Sequence, residues 1–513
     1  MLRPSPPNVE RKLKRGLGAA TQRLYSNVMT PTICFVASEV APLSKTGGLG
    51  DVAGALPRRL RMLGCDVRVI TPLYASIDRS RLILKTNMRL LDIPLRLGAQ
   101  EFRYSLVTAT SLHSDTPLIL VDCPELYHRD SIYTADADEH VRFLVLQLAA
   151  IEYCLRTGFA PDIMHCNDWH AALLPLLLRA RYSAEPTFAR TRSLLSIHNI
   201  GYQGVFALGA AALLGLAPDA ALLDSDDAAQ GVVNWLKEGV RHAHRVATVS
   251  PTYAQEICAP LGGQGLDAAL RARGDRIAGI LNGVDYDEWD PAADAHLPHR
   301  YSIDDLSGKR LMKRALLDRM SLTVTLETPL IGMVSRLTQQ KGVDLLFDVL
   351  PRMLRERPFA IAVLGSGERR YRDFFSSLAR DFPGRATFFN GYSEELAHWI
   401  EAGSDIFLMP SMYEPCGLNQ LYSLKYGAVP IVRRTGGLAD SVQMWDAAAQ
   451  SGTGIVFNDF DAFAAEWAIR TALDLYRDGA TWRQLMRNGM AQDFSWEHQA
   501  REYLALYRDM TAR

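Results

Sequence analysis

Three things are missing from this 513-residue chain. No apolar run approaches the roughly 18–20 residues that a membrane-crossing helix needs. No C-x-x-C pair occurs; the cysteines at 34, 65, 123, 154, 166, 258 and 416 are odd in number and scattered. That excludes a disulfide framework or a zinc ribbon and reads as reduced thiols. No charge excess exists either, since the formal net charge is -1. Nothing global therefore draws the chain to nucleic acid or to an anionic membrane, and an anionic ligand must be met by local cations. Repeats and low-complexity tracts are also absent. What remains is ordinary globular composition, 48% hydrophobic and 22% charged. The length exceeds that at which one core stops growing, so two domains are expected.

The first thirty residues differ from the rest. Arg3, Arg11, Lys12, Lys14, Arg15 and Arg23 face a single acid, Glu10. The stretch lacks the apolar core of a secretory signal. It reads as a poorly ordered or weakly helical basic extension (1–30), with an organelle transit peptide as the alternative.

The first clear strand is Thr32–Ser38, a continuous apolar run of the kind buried on both faces in a parallel sheet. A Gly-rich loop, a helical stretch ended by Gly64 and a second strand, Val67–Thr71, complete a β-loop-α-β unit. Further strands are expected at 117–122, 162–166, 194–198 and 245–250, with a long helix at Val141–Arg156. Turn residues from Asn282 to Pro291 break the pattern. A second strand series occupies 329–335, 360–364, 386–389, 406–409, 429–432 and 454–456, and the chain closes on a helical segment, Ser495–Thr511. The expected fold is α/β: two doubly wound parallel-sheet domains, 31–283 and 284–490, with 491–513 packing back on the first. Such domains bind ligands at the carboxyl ends of their strands, which predicts a cleft between the two.

The chemistry-bearing motifs fall at those strand ends. Lys45-Thr-Gly-Gly-Leu-Gly-Asp51 joins a strand to a helix. Its glycines let the backbone approach a ligand, and the helix start offers free N–H groups to a phosphate. The spacing matches neither G-x-G-x-x-G nor the Walker A pattern, which disfavours dehydrogenases and P-loop NTPases. The bland alternative is a Gly-rich turn with a solvated lysine. Arg336 and Lys341 lie in one connection after a buried-type strand, where a cation pair can clamp a diphosphate and neutralise a leaving nucleotide; they can equally be ordinary surface cations. Glu414, before Pro-Cys-Gly, opens a helix and can accept sugar or ribose hydroxyls, or serve only as a helix N-terminal acid. Arg433-Arg-Thr-Gly-Gly-Leu-Ala-Asp440 is another Gly-rich turn whose amides can meet a phosphate or a hydroxyl. His198-Asn199 lies just past a strand and suits sugar hydroxyls, or a satisfied core histidine. His165 to His170 has superficial metal-ligand spacing but no matching cluster elsewhere, so it reads as sheet-end hydrogen bonding or cleft lining.

In combination, these motifs resemble the bacterial glycogen synthases and plant starch synthases. The resemblance runs from about residue 32 to the end. It rests on Lys45-Thr-Gly-Gly-Leu, His198-Asn199 with Tyr202-Gln-Gly204, Asn282-Gly-Val-Asp285, Ser335-Arg-Leu with Lys341-Gly, Glu414-Pro-Cys-Gly-Leu and Arg433-Arg-Thr-Gly-Gly-Leu, in order. It implies a retaining GT-B glucosyltransferase that moves glucose from ADP-glucose to the non-reducing end of glycogen or another α-1,4-glucan. Neither metal nor cofactor is implied. By position, Arg336, Lys341, Glu414, His198 and Asp138 would be catalytic, with Asp138 near the acceptor. Lys45, Gly47, Gly48, Asn199, Asn282, Cys416, Gly417, Leu418, Thr435, Gly436 and Gly437 would bind the donor. Tyr422 stands where many related transferases carry a second glutamate. The rivals are a transferase with another donor such as UDP-glucose, a non-catalytic binder of nucleotide sugar or glucan, and a glucan phosphorylase using Lys425 for pyridoxal phosphate.

Overall fold

The structure is a computed structural model. It describes residues 30–512 apart from 86, 88, 89, 112, 113 and 210–221. The basic leader therefore lies outside the described residues, apart from Thr30. No described helix is long and apolar enough to cross a membrane.

The first half folds around one twisted sheet. Its strands are β1 (Thr32–Val36), β2 (Asp66–Pro72), β3 (Leu82–Lys85), β4 (Ile93–Leu97), β5 (Gln100–Ser111), β6 (Ser114–Asp122), β7 (Ile163–Asn167), β8 (Arg192–Ile197), β11 (Arg245–Thr248) and β12 (Ile277–Gly279). A separate small ribbon is formed by β9 (Val205–Ala207) and β10 (Val232–Asn234). The sheet order is β12-β11-β8-β7-β1-β2-β6-β5-β3, with β4 on β5. From β12 to β6 all pairings are parallel; β3, β4 and β5 form an antiparallel edge. β1 sits in the middle, flanked by β2 and β7, and its Ile33 to Val36 are fully buried. That position is why its sequence is a continuous apolar run.

The second half holds a wholly parallel six-stranded sheet, ordered β15-β14-β13-β16-β17-β18. These strands are β13 (Leu330–Leu337), β14 (Ala360–Gly367), β15 (Ala386–Asn390), β16 (Ile406–Met409), β17 (Val429–Arg433) and β18 (Ile455–Phe457). Seven helices line the cleft or tie the halves together: α1 (Gly48–Met62), α2 (Glu139–Thr157), α3 (Pro251–Glu256), α4 (Glu394–Gly403), α5 (Asn419–Tyr426), α6 (Gly436–Ser441) and α7 (Trp496–Thr511).

Among the described residues, backbone pairing at the crossover and a reciprocal helix capping join the halves, beside the ion pairs of Arg58 and Arg59 with Asp285 and Asp287. The chain crosses between them twice, side by side. Val284 N–H donates to the Phe494 carbonyl at 2.7 Å, and Trp496 N–H donates to the Val284 carbonyl at 3.1 Å. α7 then returns to the first half, where Trp496, Tyr503 and Tyr507 are buried in its core. The capping pairs α3 with α6. Asp440 at the end of α6 accepts hydrogen bonds from Ser250 Oγ, Thr252 N and Thr252 Oγ1 at the start of α3. Glu256 at the end of α3 accepts from Thr435 Oγ1 and Gly436 N at the start of α6, both at 3.0 Å. Each helix start is thus capped by a carboxylate from the opposite half.

Candidate active site

A cavity of about 1440 Å³ runs between the halves, walled by the loops after β1, β7, β8, β13 and β16. Every one of these loops leaves the carboxyl end of a parallel strand.

Lys341 and Glu414 meet on the second-half wall. Lys341 Nζ lies 2.5 Å from Glu414 Oε2, with side-chain exposures of 17% and 7%. Ser411 Oγ donates to the same oxygen at 2.9 Å. Gly342 makes the approach possible: its φ is +68°, and a Cβ there would fall 2.0 Å from the Pro410 carbonyl oxygen. A glycine after the lysine is therefore required for the two loops to seat together. Arg336, at the end of β13, also lines the cavity. It is exposed, and its guanidinium makes no hydrogen bond or ion pair among the described residues. Cys416, Gly417 and Leu418 continue the wall beyond Glu414.

On the facing wall, Lys45 Nζ pairs with Asp51 Oδ1 at 2.6 Å. Burial works against its charge, but Asp51 more than restores it, so the ammonium is held above the usual lysine range. The Gly-rich loop bends around Glu39. Thr46 N and Gly47 N donate to Glu39 Oε2 at 2.5 and 3.2 Å, and Thr46 Oγ1 donates to Oε1 at 2.8 Å. These anion-seeking amides hold an internal carboxylate. Gly48 starts α1 and faces Leu418 across the cavity.

His198 sits at the back. Burial holds its imidazole down at about 4, so it is neutral near pH 7. Its Nε2 lies 2.9 Å from Asn167 Oδ1, while Nδ1 is buried without a partner among the described residues. Because Asn167 Oδ1 can only accept, Nε2 carries the proton and Nδ1 presents a bare lone pair. Asn282 Oδ1 is likewise buried and unpartnered. Two unsatisfied acceptors lining one cavity are what hydroxyl groups of a ligand would satisfy. Asn199 lines the cavity too, its Oδ1 accepting from Gly201 N. Asp168 anchors this corner by accepting from His198 N at 2.7 Å. Its carboxyl is pushed up to about 7 by burial, against the pull of the two amides it accepts from.

Some expected residues are elsewhere. Asp138 does not line the cavity; Arg129 grips both its oxygens at 2.8 and 2.5 Å. The next residue, Glu139, lines it instead, held by Thr134 and Arg142. Thr435, Gly436 and Gly437 do not line it either. Gly436 N is taken by Glu256, and Gly437 N donates to the Glu414 and Pro415 carbonyls. A Cβ on Gly436 would lie 1.9 Å from the Glu414 carbonyl oxygen. These glycines thus seat the Glu414 loop rather than offer amides to a ligand. Lys425 pairs with Asp290 and lies outside the cavity lining. His165 is buried between Tyr507 and Ser196, both within hydrogen-bond distance, which satisfies both nitrogens. Asp168, Trp169 and His170, from the segment read as sheet-end hydrogen bonding or cleft lining, do line the cavity; sequence reasoning gave no role to Glu39, Glu139 or Glu256, none of which stands in a Gly-rich or cationic motif.

Residues 32–272 match the family described as starch synthase catalytic domain, and 318–488 match glycosyl transferases group 1. A glycogen synthase from Anaeromyxobacter sp. (strain Fw109-5) is 44% identical over 484 residues, 94% of this chain and 99% of that one. One from Aeromonas salmonicida (strain A449) is 43% identical over 493 residues, 94% and 98% of the two chains. The solved catalytic domain of starch synthase IV from Arabidopsis thaliana, bound to ADP and acarbose, superposes with a TM-score of 0.87 at 32% identity, covering 94% of this chain and all of that one. A sucrose-phosphate synthase from Thermosynechococcus elongatus shares the fold alone, at 19% identity and a TM-score of 0.57 over 94% and 99% of the chains.

Proposed function

The chain belongs to the glycogen synthase and starch synthase family of glucosyltransferases, and on that premise we propose that its donor is ADP-glucose and its acceptor the non-reducing end of an α-1,4-glucan. Its fold is the GT-B arrangement, two Rossmann-like domains facing a cleft. The donor reading is supported by the Arabidopsis relative, whose catalytic domain is solved with ADP bound. The acceptor reading draws on the activity named for the bacterial relatives, whose chains are covered almost end to end. Those relatives also favour the bacterial cytoplasm as the place of action.

One observation carries the mechanism: Lys341 is held on Glu414 beside a cation, Arg336, that makes no ion pair of its own among the described residues. A diphosphate entering the cleft meets Arg336 first. It then competes with Glu414 for Lys341. The exchange gives Lys341 a phosphate partner and frees a buried carboxylate to accept sugar hydroxyls. Both cations then stand where negative charge builds as the sugar–phosphate bond breaks. His198 Nδ1 and Asn282 Oδ1 accept hydroxyls of the transferred glucose. Lys45 approaches from the other wall, so closing the cleft completes the set. Configuration is retained by front-face attack: the acceptor hydroxyl adds on the side the diphosphate leaves, and a diphosphate oxygen takes its proton.

The test is nucleotide diphosphate release by the purified chain with glycogen, comparing ADP-glucose with UDP-glucose. Glycogen-dependent release from ADP-glucose, far faster than from UDP-glucose, is expected. Preference for UDP-glucose overturns the donor assignment. Release from neither overturns the acceptor and the residue roles together.

A further inference from the structure

We propose that Glu288, Glu394 and His398 form a divalent-metal site in the wall of the cleft, next to the Lys45–Asp51 pair. One ligand atom from each of the three lies within 4.8 Å of the other two. Glu394 and His398 stand four residues apart on α4, one turn on the same face. Glu288 comes from the segment that connects the two halves. Both glutamates are exposed and line the cavity.

The histidine distinguishes this cluster from a mere collection of acids. His398 is fully buried. Its Nδ1 is 2.8 Å from Asp294 Oδ2, and the Tyr426 hydroxyl donates to the same oxygen at 2.6 Å. A carboxylate oxygen gripped from two sides is an acceptor, so Nδ1 carries the proton. Nε2 is then a bare lone pair, and it is buried without a partner among the described residues. Trp289 stacks on the ring, with centroids 3.6 Å apart and planes 15° from parallel, which fixes its orientation. Carboxylate to Nδ1–H, free Nε2 beyond: this is the second-sphere arrangement that prepares a histidine to ligate a metal.

The charge around it also asks for a cation. Glu288 and Glu394 crowd each other, and Asp51 adds to the same side. Lys45 is the cation that acts on Glu288, and it is already paired with Asp51. One imidazole and two carboxylates suit Zn²⁺, Co²⁺ or Mn²⁺ better than the all-oxygen preference of Mg²⁺ or Ca²⁺. Ligands at about 2.1 Å from a tetrahedral ion sit roughly 3.4 Å from one another, and the three ligand atoms already lie within 4.8 Å of one another, so closing on an ion needs side-chain shifts of at most about 1.4 Å. Exposed side chains can do this without moving the backbone. An ion held so would tie the connecting segment to α4 and present an open coordination position to the cleft.

The experiment uses the full chain treated with chelator and then titrated with Co²⁺. Visible d–d absorption is followed, metal content after dialysis is measured by mass spectrometry, and the melting temperature is read in parallel. Expected is one Co²⁺ per chain with a raised melting temperature. D294N should weaken binding roughly 10–100-fold, and E394Q and E288Q should weaken it at least as much. H398Q should abolish it; if that variant fails to fold, the two glutamate variants decide, since their side chains lie on the cavity surface. Absence of saturable binding to the wild-type chain overturns the proposal. So does an affinity unchanged in E288Q and E394Q, which would put the ion elsewhere.

Discussion

Removing Arg336 and removing Lys341 should damage catalysis alike and stability differently. Both cations are assigned to the departing diphosphate, and losing one such contact costs roughly 10²–10³ in turnover, about 2.7–4 kcal/mol. The folded chain treats them otherwise. Arg336 is exposed and unpaired among the described residues, so Arg336→Ala should shift stability by no more than about 0.5 kcal/mol. Lys341 neutralises a carboxylate whose side chain is 7% exposed. Lys341→Ala leaves Glu414 with only the Ser411 hydroxyl on that oxygen. Breaking a buried pair from one side costs about 3–5 kcal/mol; the 17% exposure of Lys341 places this case at the lower end. For a chain of this size, whose unfolding entropy is about 1.1 kcal/mol/K, about 3 kcal/mol lowers the melting temperature by roughly 3 °C. The double variant K341A/E414Q removes the stranded charge and should recover much of that loss while staying inactive. The assays are ADP release at saturating ADP-glucose and glycogen, and thermal melts of the four proteins. Near wild-type turnover in R336A or K341A refutes the catalytic assignment. Equal melting of R336A and K341A, or no recovery in the double variant, refutes the charge-exchange account.

The same contacts give three further outcomes. Asp168 carries a carboxyl raised to about 7, so the folded chain binds more protons there than the unfolded one between about pH 4 and 7, and its contribution to stability falls as pH rises through that window. Asp168→Asn should therefore gain stability over wild type at pH 8 and lose that advantage by pH 5, and a difference in melting temperature that ignores pH rules this out. Gly436→Ala adds a Cβ 1.9 Å from the Glu414 carbonyl oxygen at a φ of +42°; it should cost about 3 kcal/mol and turnover with it, whereas Gly47→Ala, with nothing within 4 Å, should melt like wild type. Asp440→Ala removes three hydrogen bonds from the start of α3 and should cost about 1–2 kcal/mol, measured by denaturant unfolding; an unchanged midpoint would mean that the cap between the halves contributes nothing.

Much of this was legible in the sequence, and each part that was not has its own physical reason. A strand buried on both faces writes itself as an apolar run, so β1, β2, β13 and β16 stood out. A loop that must approach a ligand or another backbone writes itself as glycine, so the Lys45, Lys341, Glu414 and Thr435 turns stood out as well. The antiparallel edge did not, because β5 alternates between buried and exposed residues over much of its length and β3 is exposed at three of its four positions. Glycine also gave an ambiguous signal. At Gly436 and Gly437 it marks a helix start packed on the Glu414 loop, not amides facing a ligand. Asp138 and Glu139 are one residue apart, and only the conformation at the start of α2 decides which carboxylate reaches the cavity. Partners distant in sequence leave no local trace at all: Glu256 with Thr435, and Glu288 with Glu394 and His398, join positions more than a hundred residues apart.

The electrostatics of the cleft give these details a common logic. A site for a diphosphate needs concentrated positive charge, and concentrated positive charge in a part-buried cleft is costly while the ligand is away. On the proposed reading, this chain offsets that cost by giving the groups assigned to the diphosphate internal anions: Asp51 on Lys45, Glu39 on the Gly-rich loop, Glu414 on Lys341. Ligand binding then becomes an exchange of partners rather than the filling of a bare positive pocket. Such an exchange discriminates. A ligand carrying phosphate alone can displace Glu414 from Lys341 but leaves the released carboxylate buried with only the Ser411 hydroxyl to satisfy it. A nucleotide sugar supplies the phosphate and the hydroxyls together. ADP should therefore bind more weakly than ADP-glucose, and Glu414→Gln should narrow the gap by removing the charge that the sugar has to satisfy. Calorimetric titration of the two ligands against both proteins checks this, and a gap that stays the same in E414Q would mean that Glu414 is not the group the sugar satisfies.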